Sequence, residues 1–281
     1  MAKVLVMMAD YGHDPTGVNN ANSIVGLLHR IAFTNRHPET AVPYSAFKEA
    51  GFNVSFATEK GKSTQCDTRM LQGITQLLLD PQGAARPVIQ QYNTMAASEE
   101  WQHPLAWSAP AFTLDAFDLV FLPGGHEKSV RQIIDSEAVH RLLVDFFPKT
   151  RKPGAKAVGA VCHGVMVLSE AKDAEGRSVL HGCTTTTLPA RFEQLAFWGT
   201  RVFLGDYYKT YGACSKDVED LVRKELADPA HLKSSLIPTP FVVEDENFNY
   251  ISARFPGDVR LMFEKLVNLA GGLRSGKAEA A

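Results

Sequence analysis

Short, Val-rich apolar runs alternate along this chain with stretches that are apolar at helical spacing. That alternation limits the fold more than any single residue does. Residues 3–9, 52–58, 117–122 and 156–161 read as strands, apolar almost throughout and so covered on both faces. Between them, residues 21–33 carry Ile24, Leu27, Leu28 and Ile31 on one helical face, and residues 43–50 read as a helix stopped by Gly51. Residues 129–147 give one or two helices, and helices over 164–170 and 190–198 follow. A threonine-rich run, 183–187, reads as a strand; 241–244 and 250–253 read as a hairpin around Asp245–Asn249. Pro256-Gly257-Asp258 caps a last helix over 259–269, and the small polar tail 271–281 is expected to fray. Strand–helix alternation with buried strands predicts a mostly parallel sheet with helices on both faces. Residues 80–114 and 205–240 break the rhythm and read as two insertions in a single domain spanning 1–270.

Composition narrows the class. The 281 residues are 45% hydrophobic and 21% charged, which excludes a disordered chain. Lys and Arg number 29 against 31 Asp and Glu, so no basic excess predicts a nucleic-acid partner. The apolar run at 4–9 is too short for a signal-peptide core or a membrane span, which predicts no membrane partner. Cys66, Cys162, Cys183 and Cys214 form no C-x-x-C pair, so zinc-ribbon and thioredoxin readings fail. Scattered thiols fit a reducing, cytoplasmic compartment.

The most informative stretch is Gly159-Ala160-Val161-Cys162-His163-Gly164. A small-residue strand runs straight into Cys162 and a helix starts at once, with glycines on both sides, the pattern of a nucleophile elbow. Such a turn sets the sulfur at the carboxyl edge of the sheet, where the helix start favours thiolate. The alternative is a buried core cysteine, a common fate of a free thiol. Leu122-Pro123-Gly124-Gly125-His126 ends another strand and faces the same edge. Its paired glycines leave backbone N–H groups to meet an oxyanion, or mark an ordinary turn.

Pro-Gly-Gly-His after one strand and Ala-Val-Cys-His-Gly after the next resemble the ThiJ/PfpI superfamily, which has the class I glutamine amidotransferase-like fold. The resemblance is strongest to the branch of heat-shock chaperones and glutathione-independent glyoxalases. It implies an open, flavodoxin-like α/β sheet with a cysteine nucleophile elbow. It also implies an acid set against the thiol, four residues before a Pro-aromatic pair; Glu39, ahead of Pro43-Tyr44, fits. The branch further carries an acid that orients the histidine after the cysteine. Glu193, downstream of Thr184–Thr187, stands at the matching interval, with Asp206 as fallback. The implied site is therefore Cys162, His163, Glu39 and Glu193, with Gly124, Gly125 and His126 around the oxyanion.

The implied activity is conversion of methylglyoxal-like dicarbonyls to 2-hydroxy acids, with deglycation as related chemistry. No redox cofactor is needed, and no H-x-x-x-H or H-E-x-x-H spacing calls for a metal. A cysteine peptidase using Cys162, His163 and Glu193 is the enzymatic rival. Glutamine amidotransfer is disfavoured, because His163, His181 and His231 have no acid two places on. A stress holdase or thiol sensor is the non-enzymatic alternative, the former needing exposed aromatics among Trp101, Trp107, Phe112, Phe197 and Trp198. The expected partner besides the small dicarbonyl is a second copy, a homodimer by family habit.

Overall fold

The computed structural model describes residues 1–10, 40–63, 85–125 and 128–279. The helix expected over 21–33 lies outside them. Seven strands form one sheet in the order β3-β2-β1-β4-β5-β7-β6. They are β1 (Lys3–Met7), β2 (Asn53–Thr58), β3 (Leu105–Ala106), β4 (Leu119–Leu122), β5 (Ala157–Val161), β6 (Val242–Glu244) and β7 (Tyr250–Ala253). All neighbours are parallel except β6, which closes one edge antiparallel to β7 as the expected hairpin.

The central strands are apolar because both faces are covered. Every residue of β4 and β5 is buried. On one face α1 (Ala41–Glu49) meets the C-terminal helix α9 (Val259–Glu279). Phe47 of α1, Phe121 of β4 and Phe263 of α9 pack edge-on, with ring centroids 6.4, 4.9 and 5.0 Å apart. The strand order reverses between β1 and β4, so right-handed crossovers put the following helices on the other face. These are α4 (Arg131–Ile134), α5 (Glu137–Phe146) and α6 (Gly164–Glu170). Gly159 lets β5 and α9 approach closely: a Cβ there would lie 2.7 Å from Leu266 Cδ1.

Four expectations are corrected. Residues 85–106, read within an insertion, fold as α2 (Ala85–Ala96), α3 (Glu99–Gln102) and β3, which extends the sheet by pairing Leu105 and Ala106 with Ala57 and Thr58. A two-residue strand is too short to leave a pattern, and Trp101 is buried edge-on to Phe56 at 5.0 Å. Residues 183–187 form no strand, only an isolated bridge from Thr185 to Leu232. Side chains anchor this run instead: Thr185 Oγ1 lies 2.8 Å from Tyr250 Oη, the Thr186 N–H donates to Ser252 Oγ at 2.9 Å and the Thr184 N–H to Asp245 at 2.7 Å. Helix α7 (Ala190–Leu204) runs past Trp198 to a stop at Gly205. Helix α9, expected to end at Leu269, is drawn through Gly271-Gly272 to Glu279, and Leu269 and Leu273 pack on the core. Within 205–240 the described elements are α8 (Val218–Arg223) and a single 3-10 turn, Pro229–His231.

Candidate active site

Strand β5 delivers Cys162 to the carboxyl edge of the sheet, next to the strand-order reversal where open α/β sheets form their crevice. Cys162 has φ of 57°, the only positive φ among described non-glycine residues. A side-chain-bearing residue in that region is strained by roughly 1–3 kcal/mol and must be held there. Three segments hold it. Its N–H donates to Ala253 O of β7 at 3.0 Å. Its carbonyl accepts from Thr187 Oγ1 at 2.8 Å and from the Val165 N–H at 3.3 Å. Gly164 then presses against the end of β4, where a Cβ would stand 2.2 Å from Leu122 O and 2.7 Å from Pro123 O.

That last approach joins the two sequence motifs. The Pro123-Gly124-Gly125 turn lies against the Cys162-His163-Gly164 turn because glycine alone fits between them. Gly125 has φ of 142°, a conformation that suits glycine. Neither the Gly124 nor the Gly125 N–H has an acceptor among the described residues. Cys162 is 6% exposed and His163 fully buried, with Sγ 3.3 Å from His163 Nδ1. The pair is within hydrogen-bond reach, the arrangement in which a base can take or return a thiol proton.

Glu39 and His126 lie outside the described residues. Glu193 is described, and its carboxylate is committed elsewhere, which corrects its expected role on His163. Its Oε1 pairs with Lys209 Nζ at 3.1 Å and its Oε2 accepts from the Val218 N–H at 2.8 Å. Lys209, itself buried, also pairs with Asp217. Burial pushes the Glu193 carboxyl above its ordinary range and outweighs the Val218 N–H and the Lys209 ammonium, which pull it down. Burial acts on Lys209 in the opposite sense, but the Asp217 hydrogen bond and the two carboxylate charges prevail and hold its pKa up. Asp206, the fallback, pairs with Lys128 Nζ at 2.9 Å. Cys183 is buried with its thiol pushed far up by desolvation and by the Asp245 charge, so it stays protonated and unreactive.

Sequence reasoning missed the supports of the site. Thr187, read as strand, is a hydrogen-bond donor to the elbow. The 205–212 segment is latched to the chain just after Gly125 by Lys128–Asp206, by Tyr211 bonding Asp135 and by Arg131 lying 4.8 Å over the Tyr211 ring. Arg254, one residue beyond β7, is fully buried and uses all five of its N–H donors. Two go to Asp258 and three to the carbonyls of Ser235, Ile237 and Thr239 at 2.5 to 3.0 Å. The i,i+4 spacing of Arg254 and Asp258 was the available signal for that pair.

Fold and site together define an open, mostly parallel α/β protein with a cysteine held at positive φ on a strand–helix turn. Residues 35–234 match the family described as ThiJ/PfpI family-like, and the chain belongs to the ThiJ/PfpI family. It is 30% identical over 229 residues to an uncharacterized protein of Schizosaccharomyces pombe, covering 81% of this chain and 76% of that one. Among solved structures, the 24 kDa Rapid Encystment Protein of Francisella tularensis is similar in fold, with a TM-score of 0.63 and 16% identity over 96% of this chain and 99% of that one. Glyoxalase III of Candida albicans is similar at a TM-score of 0.51 and 15% identity, over 95% and 97% of the two chains. Among the described residues no helix is long and apolar enough to cross a membrane. No group of three His, Cys, Asp or Glu side chains among them is placed to hold a metal.

Proposed function

We propose that this protein is a cofactor-free, cysteine-dependent enzyme that converts methylglyoxal-like dicarbonyls to 2-hydroxy acids. The observation that carries the reading is the strained Cys162 elbow, 3.3 Å from His163 Nδ1, packed against a glycine turn whose N–H groups have no acceptor among the described residues. The Cys162 thiol would give its proton to His163 and, as thiolate, add to the aldehyde carbon to form a C–S bond, the proton then passing from His163 to the resulting hemithioacetal oxygen. Loss of the proton on that carbon gives an enediolate; return of a proton to the neighbouring carbon, with the hydroxyl proton passing from the first oxygen to the second, leaves a thioester and a secondary alcohol. Glu39 is the residue proposed to carry that proton. Water then cleaves the C–S bond, releasing the hydroxy acid and the thiol, so the sum is dicarbonyl plus water to hydroxy acid. The N–H groups of Gly124 and Gly125 are the proposed donors to the oxyanion.

A cysteine peptidase would require Glu193 to orient His163, and the engagement of Glu193 by Lys209 and Val218 counts against it. The glyoxalase reading also agrees with the name of the Candida albicans protein that shares the fold. The test is methylglyoxal consumption with lactate detection, without glutathione, on wild type, Cys162→Ala and Glu39→Gln. Turnover in the wild type and its loss in both variants is the expected result. Turnover that survives Cys162→Ala, or a wild type that makes no lactate, overturns the reading.

A further inference from the structure

The exits of strands β1 and β2 meet helix α4 through one side chain. Asp10 follows the end of β1 and Glu59 the end of β2, both at the carboxyl edge of the sheet. Gln132, on α4, takes both. Its Oε1 accepts from the Asp10 N–H at 2.8 Å, and its Nε2 donates to Asp10 Oδ1 at 2.5 Å and to Glu59 Oε2 at 2.6 Å. An amide nitrogen has two hydrogens, and here each has its own carboxylate. The amide cannot be turned over, because its oxygen would then face both carboxylates and its nitrogen an N–H. The two acids are themselves tied down. Asp10 Oδ2 accepts from the Lys60 N–H at 3.2 Å, and the Glu59 carbonyl accepts from Ser108 Oγ at 2.6 Å.

Strand β4 lies between β1 and β5, so the Pro123-Gly124-Gly125 turn at its end has Asp10 on one side and Cys162 on the other. On the Cys162 side the turn meets Gly164 backbone to backbone. Such a contact resists closer approach steeply and withdrawal only weakly. Beyond the turn, Val130, Ile133 and Ile134 are buried, but apolar burial is non-directional and does not fix a lateral position. Gln132 does fix it, through three hydrogen bonds to two strand exits, two of them to charged groups. The same short stretch is joined on its other flank to the 205–212 segment, by Lys128 to Asp206 and by Tyr211 to Asp135.

We propose that Gln132 is a positioning residue, whose amide clamps the stretch after the glycine turn to the exits of β1 and β2 and so holds the Gly124 and Gly125 N–H groups at their working distance from Cys162. The role rests on the cysteine-enzyme reading of the site and acts through the turn, not on the reacting atoms. It is also specific to an amide. Glutamate has the same length and shape, but it adds a third carboxylate and donates nothing until one of the three takes a proton. Methionine has a similar volume and donates nothing at any pH. The charged neighbours are Lys60, whose N–H meets Asp10, Arg131 with its partner Asp135, and Lys128 with its partner Asp206. Asp10, Glu59 and Gln132 are all half-buried, so carboxylates that lose the amide can take water and both variants fold.

Hydrogen exchange read by mass spectrometry on the full chain tests the clamp without any substrate. In Gln132→Met and Gln132→Glu the peptide carrying Gly124 and Gly125 should exchange about tenfold faster than in the wild type at neutral pH, with the peptide carrying β7 unchanged. Wild-type exchange of the glycine turn in both variants overturns the proposal. The second readout is kcat/KM for methylglyoxal against pH. At about pH 8 both variants should fall roughly 30- to 100-fold, in kcat more than in KM, the cost of about 1 Å at the reacting centre. Toward about pH 5 the ratio of Gln132→Glu to wild type should rise about fivefold or more, because crowded carboxylates take up a proton above their ordinary range and the new O–H replaces a lost donor. The ratio for Gln132→Met should stay flat. A merely structural role would lower both variants alike at every pH. Parallel profiles for the two variants, or kcat/KM within about threefold of wild type in both, overturn the proposal. A wild type that makes no lactate removes the enzymatic reading instead, and the exchange of the glycine turn then decides the clamp by itself.

Discussion

Gly164→Ala is the sharpest perturbation of the site, because it adds one methyl group and touches no chemical group of the proposed reaction. The added Cβ would lie 2.2 Å from Leu122 O and 2.7 Å from Pro123 O, where ordinary contact begins at 3.4 Å. Both obstacles are backbone, so no rotamer change relieves the clash. The start of α6 and the end of β4 must part by about 1 Å, and overpacking of this kind costs about 1–3 kcal/mol. The same movement separates Cys162 from the Gly124-Gly125 turn. A displacement of about 1 Å between a nucleophile and its oxyanion donors is enough for a loss of about 100-fold in rate. The assay is kcat/KM for methylglyoxal on the folded variant, with a melting curve beside it. Gly176→Ala is the control. Gly176 has φ of 77° and open space around its Cβ position, so that variant should lose about 1 kcal/mol from backbone strain and keep full activity. A folded Gly164→Ala protein with kcat/KM within threefold of wild type would refute the idea that the two turns form one catalytic unit.

Other variants probe the supports. Arg254→Ala leaves the Asp258 carboxylate buried and strips the carbonyls of Ser235, Ile237 and Thr239 of their donor, so it should cost about 3–5 kcal/mol in urea unfolding. Arg254→Lys should recover only part of that, having three donors for five acceptor contacts. Thr187→Val removes one of the bonds that hold the Cys162 carbonyl and should cost about 1 kcal/mol, with a fall in kcat larger than any change in KM. For Glu193 the sign follows from the raised folded-state pKa. The folded protein binds its proton more tightly than the unfolded chain, so the contribution is full below 4.5 and fades as pH rises through the higher folded value. Glu193→Gln should therefore flatten the melting temperature against pH just above 4.5; parallel curves for wild type and variant would contradict the assignment.

Much of the sheet was legible because its strands announce themselves twice, by apolar content and by the glycine or helix that follows. The strands over 3–9, 52–58, 117–122 and 156–161 match β1, β2, β4 and β5 within a few residues, and 164–170 coincides with α6. What escaped was structure carried by contacts distant in sequence. Two residues at Leu105-Ala106 cannot display a period, so β3 emerged only through its pairing with β2. The threonine-rich run at 183–187 shows the opposite error. Its β-branched residues suit a strand, but their hydroxyls and N–H groups are taken by Tyr250, Ser252 and Asp245, which replace a ladder. Glu193 failed in the same way. Interval placed it near His163, but the partners that claim it, Lys209 and Val218, sit in a segment whose path local pattern does not reveal.

The elbow explains why so few of its supports could be read locally. A strained φ at Cys162 persists only if the surroundings hold it more firmly than the chain resists. One backbone hydrogen bond contributes about 1 kcal/mol net, so no single contact balances a strain of about 1–3 kcal/mol. The sum requires several anchors. Here they come from Ala253 on β7, from Thr187 in the threonine run and from the β4 end that Gly164 meets. These anchors are separated by long stretches of chain, so the cysteine reaches its geometry only when β4, β5 and β7 are all in register. Assembly of the sheet and placement of the Cys162 thiol at its edge are then one event, and a partly folded chain has no reason to present Cys162 in the strained form.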